Sequence, residues 1–140
     1  MNHDVYDVCD GEAVIAKVIP ADAPVDHIRF LTPDSYPLQV GLLHHKAGTE
    51  LRAHGHKKLK INADIFQEIL IIQKGTVDVD LYGMNLQPLA TVTLHAGDAI
   101  LFVDGGHGVR MKTEARILEV KQGPYPGDRL AKVFVEDPAS

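Results

Sequence analysis

Several things are scarce in this chain, and each scarcity removes a class of explanation. It has no tryptophan and a single cysteine, Cys9, among 140 residues. One cysteine cannot close an internal disulfide, and this points to a reducing, cytoplasmic setting. Residues 1–12 are polar and rich in aspartate, with no sustained apolar core, so they do not read as a secretory leader. No apolar run approaches the length of a membrane span. Basic charge is in the minority, with a net charge of -5 at pH 7. The richest basic run, His56-Lys57-Lys58-Leu59-Lys60, is too short for a nucleic-acid surface. Sustained helical periodicity is absent as well.

What is present is an all-β pattern. At this length one domain with its own core is expected. Short runs rich in β-branched residues recur every eight to twelve positions, separated by Gly, Pro and Asp turns, which is the signature of a sandwich or barrel. Strands are expected over Ala13–Ile19, His27–Leu31, Leu38–His45, Glu50–His56, Glu68–Gln73, Thr76–Leu81, Leu89–Leu94, Ala99–Val103, Val109–Met111 and Ala115–Lys121. A last edge strand is expected over Leu130–Val135. Lys74-Gly75 reads as a hairpin turn. Residues 1–12 are expected as a flexible arm, 13–136 as the single domain and 137–140 as a disordered tail. The alternation of Asp78 and Asp80 with Val77 and Val79 reads as a strand with one face in water.

Histidine is the compositional oddity. There are eight, four of them between His44 and His56. On a strand His54 and His56 would share a face. Arg52 shares it too and would suit an anionic substrate. Glu68 opens the next apolar run, and His107 sits in a glycine bend further on. Three neutral imidazoles and a carboxylate suit a transition metal and not calcium. With His54, His56 and His107 as ligands, a coordination position is left for water or substrate. Glu68 is either a fourth ligand or a residue beside the ligands. Of His44 and His45, one faces inward, and His45 is a candidate general base. Met111 shares the face of His107 and is expected on the inner wall.

These residues resemble the motifs of the cupin superfamily, small metal-binding jelly rolls. Gly48, five residues, then His54-Gly55-His56 follow the first cupin motif, as do Glu68, six residues and Gly75. The gap of eleven residues between His56 and Glu68 is longer than the motif allows. Gly97 and Gly105 keep the spacing of the second motif; Val103 replaces its proline, His107 comes one residue early and Met111 stands where an asparagine belongs.

The resemblance implies a double-stranded β-helix, or jelly-roll barrel, with one divalent transition metal (Fe, Zn, Ni or Mn) on His54, His56, Glu68 and His107. It implies a metal-dependent dioxygenase, isomerase or lyase acting on a small polar organic molecule, such as a sugar derivative or a keto or carboxylic acid. A non-catalytic metal- or ligand-binding module is the alternative, as is a metal-independent sugar-nucleotide epimerase or isomerase. Catalytic candidates are Glu68, Arg52 and His45. A small-molecule ligand is the expected partner, with neither nucleic acid nor membrane. A homodimer formed through strand exchange at edges such as the N-terminal strand is expected too.

Overall fold

Alternation of large aliphatic and polar residues fixes most of the strands, and the two faces it creates build the core. The computed structural model describes residues 3–124 and 126–135. Among them run β1 (Tyr6–Asp10), β2 (Ala13–Ile19), β3 (Ile28–Phe30), β4 (Gly41–Leu43), β5 (Glu68–Lys74), β6 (Thr76–Tyr82), β7 (Pro88–His95), β8 (Ala99–Phe102), β9 (Gly106–Met111), β10 (Arg116–Lys121) and the short helix α1 (Asp128–Ala131). Every strand pairing is antiparallel. A five-stranded sheet has the order β1-β2-β8-β5-β10, and a three-stranded sheet the order β7-β6-β9. β3 and β4 form a separate ribbon. The chain is all-β, as its periodicity predicts. No described helix is long and apolar enough to cross a membrane.

The core lies between the two larger sheets. Ala16 and Val18 of β2, Leu70 and Ile72 of β5, and Ile100 and Phe102 of β8 meet Val77, Val79, Leu81 and Leu94 of the smaller sheet. Burying each such side chain stabilises by about 1.5–3 kcal/mol, so this layer drives the fold. The other face of the large sheet is also apolar. Ile19, Ala99 and Leu101 are buried there, outside the central cluster. The 20–45 segment lies against this face: Ala21 N–H donates to Asp98 Oδ1 at 2.9 Å, and Leu38 N–H to Gln67 Oε1 at 3.4 Å.

Four expectations change. Residues 6–10 are a strand and not part of a loose arm, because Tyr6 and Val8 alternate with polar neighbours and pack on the core. Glu50–His56 is not a strand, and every residue from 46 to 64 is exposed. Its face opposite the histidines offers only Leu51, Ala53 and Gly55, too little apolar area to offset the entropy of ordering seven residues. Leu130–Val135 is not a strand either: α1 occupies its start, and Leu130 and Val133 are highly exposed. Finally, the aspartates of β6 point away from the core without simply facing water. Asp78 is buried and accepts from Thr93 Oγ1 at 2.6 Å, while Asp80 accepts two bonds from the Arg110 guanidinium at 2.7 and 2.8 Å. The expected tail over 137–140 lies outside the described residues.

Candidate functional site

At one end of the interior the aliphatic lining gives way to charge. Glu68, the first residue of β5, is in register with Phe102 of β8 and Lys121 of β10. His107 is in β9, on the opposite sheet, in register with the buried Leu81. The two therefore face each other from different sheets, and His107 Nε2 lies 2.6 Å from Glu68 Oε1. The imidazole lies flat on Phe102, with ring centroids 3.6 Å apart and planes 2° from parallel. Gly105 (φ 66°) makes the bend that delivers His107, and a Cβ there would collide with the carbonyl oxygen of Tyr82. Glycine meets both demands at no steric cost.

β10 adds two groups that the sequence reading did not single out. Ile117 packs against the core, and the pleat places Glu119 and Lys121 on the same inward side. Glu119 hydrogen-bonds to Glu68, and its carboxylate lies 3.7 Å from Lys121 Nζ. The hydrogen bond with His107 is the main cause that holds the Glu68 carboxyl down at about 2, against an opposing cost of burial; Glu119 and Lys121 add to the lowering. The Glu119 carboxyl is pushed up, first by its hydrogen bond to Glu68, then by burial and by the neighbouring negative charge. Glu68 is thus the anion of the pair and Glu119 the proton holder. The signal in the sequence was the alternation Ile117, Glu119, Lys121, but periodicity does not say which face turns inward.

The other predicted residues lie elsewhere. His54 and His56 are on the exposed 46–64 stretch, with ring centroids 5.1 Å apart. His54 Nδ1–H donates to the Arg52 carbonyl oxygen at 2.8 Å, which leaves Nε2 as the lone-pair nitrogen of the neutral ring. Arg52 itself is exposed. His45 is half-buried beside His27, with ring centroids 6.3 Å apart, and its Nε2 is buried without a hydrogen-bond partner. Met111 is in register with buried Val77 but stands at the end of β9, 56% exposed, at the rim and not in the inner wall.

In donor type, Glu68, His107, His54 and His56 fit a divalent transition metal. In place, they form two halves: the Glu68–His107 pair and the His54–His56 pair. Among the described residues no group of three or more His, Cys, Asp or Glu side chains gathers to hold a metal. No protein-family model, no curated protein and no solved structure matches this chain.

Proposed function

We propose that this chain is a cupin-type metalloprotein that acts on a small polar organic molecule, such as a sugar derivative or a keto or carboxylic acid. Glu68 and His107 form the fixed half of the donor set, and His54 and His56 supply the other half from the 46–64 stretch. The observation that carries this reading is the 2.6 Å contact between Glu68 and His107, two chemistry-bearing residues brought together from opposite sheets at the polar end of an aliphatic interior. The Nδ1–H bond of His54 to a backbone carbonyl supports it, since a ligating imidazole usually donates its other N–H in this way. An iron, zinc, nickel or manganese ion held there would supply Lewis-acid or redox chemistry. Around it, Phe102 stacks on the His107 ring, and Glu119 and Lys121 add to the lowering of the Glu68 carboxyl that His107 chiefly causes.

A second reading rests on the same end of the interior. Glu68 held as an anion beside a proton-holding Glu119 is an acid–base pair in its own right, and His107 completes a metal-free centre of the isomerase or epimerase type. Elemental analysis separates the two. Full-length protein purified without chelator is compared with His107→Ala and with His54→Ala/His56→Ala. The metal reading expects near one transition metal per chain in the wild type and loss in both variants. No metal in the wild type after refeeding would overturn it and leave the acid–base centre.

A further inference from the structure

The turn between β6 and β7 holds a strained residue. Leu86 has φ 59°, in the left-handed region, and is the one non-glycine residue with positive φ among those described. Its Cβ crowds the backbone there, and glycine or asparagine would sit more easily. Strain of this kind persists only where the surroundings enforce it, and it gathers at functional sites. Here the turn itself is tightly closed. Gly83 N–H donates to the Gln87 carbonyl oxygen at 2.8 Å, and Leu86 N–H to the Gly83 carbonyl oxygen at 2.9 Å. Gln87 Oε1 accepts from Asn85 N–H at 3.0 Å.

β1 pins this turn from outside. Asp10 Oδ2 accepts from Met84 N–H at 2.9 Å and from Gln87 Nε2 at 3.0 Å. The fit leaves no slack, since a Cβ on Gly83 would collide with both the Asp10 carboxylate and the Gln87 side-chain amide. Residues 1–12, expected as a flexible arm, therefore supply the group that fixes a turn of the smaller sheet.

The other side of the turn carries the bend that delivers His107. Tyr82, the last residue of β6, is in register with Gly106 of β9. Leu86 Cδ2 fills the space that a side chain on Gly106 would need, 2.9 Å from where its Cβ would stand. Gly105 packs against the carbonyl oxygens of Tyr82 and Gly83 and against Ile15 Cδ1. The start of the bend is held by the Ile15 carbonyl oxygen, which accepts from Val103 N–H at 2.9 Å and from Asp104 N–H at 3.2 Å. The backbone just before His107 is thus seated on the turn, while Phe102 covers the face of its ring. A 2.6 Å contact with Glu68 tolerates little movement of that seat. A misplacement of about 1 Å at reacting groups can cost about a hundredfold in rate.

We propose that Asp10 and Leu86 are positioning residues for His107. Asp10 locks the 83–87 turn; Leu86, held in its strained conformation, presses on Gly106 and fixes where the imidazole stands. The proposal rests on the reading that His107 belongs to the functional site. Both residues act through the backbone of the bend. The strain at Leu86 is what it takes to lay an aliphatic side chain on Gly106 from so tight a turn.

The test uses NMR of the full-length, metal-free chain. In the wild type the stacked Phe102 ring shifts the His107 ring protons upfield, and cross-peaks join the two rings. Leu86→Gly removes the contact and relieves the strain. It is expected to lose most of the upfield shift and weaken the cross-peaks, yet to melt close to wild type, because relief of strain offsets lost packing. Asp10→Ala is expected to change the His107 signals in the same way. Asp10→Asn keeps an acceptor oxygen for both donors and is expected to restore them. Val8→Ala, which loosens the packing of β1 on the core, is the control: a lower melting temperature with unchanged His107 signals. Zinc titration of the same proteins is expected to show binding about 10- to 100-fold weaker in Leu86→Gly and Asp10→Ala. Wild-type His107 signals in both of these variants overturn the proposal, as does an equal change in Val8→Ala. If the signals move as expected but the wild type binds no zinc, the positioning role stands and the metal reading falls.

Discussion

Glu68 and His107 touch at 2.6 Å although they belong to different sheets, and that contact bridges the end of the interior where Phe102 lies. Its energetic sign follows from the lowered Glu68 carboxyl. A carboxylate whose folded value is about 2, against an ordinary 4.5, stabilises the folded state above pH 4.5 and loses that contribution as pH falls towards 2. The contribution is on the order of 1–3 kcal/mol. In metal-free protein, Glu68→Gln is therefore expected to be less stable at pH 7 by this amount, with the gap from wild type closing below pH 4.5. Urea unfolding at a series of pH values measures it. A gap that stays constant down to pH 2 would show that the ionised Glu68 carboxylate is not its source.

The sign reverses at Glu119. Its carboxyl is pushed up, so folding favours its protonated form, and the stability it gives is complete below pH 4.5 and lost as pH rises through the raised value. Above that raised value the ionised Glu119 sits against the Glu68 anion, and below it folding has to supply the proton. Glu119→Gln keeps a hydrogen-bonding side chain and removes the repulsion, so a higher melting temperature than wild type is expected at pH 7 and no difference at pH 4. A lower melting temperature at pH 7 would mean that the Lys121 contact outweighs the repulsion.

Gly75 closes the β5–β6 hairpin with φ 86°, and a Cβ there would overlap the carbonyl oxygen of Glu114. Gly48 has nearly the same φ, 87°, but nothing stands within 4 Å of its added Cβ. The pair separates backbone strain from collision. Gly48→Ala is expected to cost about 1 kcal/mol through strain in the left-handed region. Gly75→Ala carries the same strain plus displacement of the β10 approach, for a cost of about 3 kcal/mol or more. Equal losses in chemical denaturation would remove the steric argument.

The sequence was most legible where alternation and turn chemistry agreed. Val77, Val79 and Leu81 specify the inner face of β6, Gly75 marks its start, and the spacing of Glu68 and His107 singles out two residues that the structure brings into contact. The burial of Asp78 was not legible, because Thr93 of β7, Arg110 of β9 and Lys112 just after β9 approach it from both sides. Nor was the orientation of β10. The run Ile117-Leu118-Glu119-Val120-Lys121 alternates, yet a period of two fits either face inward, and only pairing with β5 decides. The same limit misplaced His54 and His56. Their shared face needed a strand, and a strand needs a partner and an apolar side that Glu50–His56 does not offer.

His45 poses the opposite problem from Glu68: a polar atom with no visible return. Its Nε2 is buried without a partner, and leaving such a nitrogen unpaired costs about 1–3 kcal/mol. Replacing both the demand and the ring by an apolar side chain of smaller bulk removes that cost, at the expense of the stacking on His27. His45→Leu is therefore expected to gain about 1 kcal/mol, seen as a melting temperature higher by a few degrees in a chain of this size. His45→Asn, which keeps polar atoms at the site, is expected not to gain. If His45→Leu instead loses stability in ligand-free protein, the packing and stacking of the ring against His27 outweigh the unpaired nitrogen.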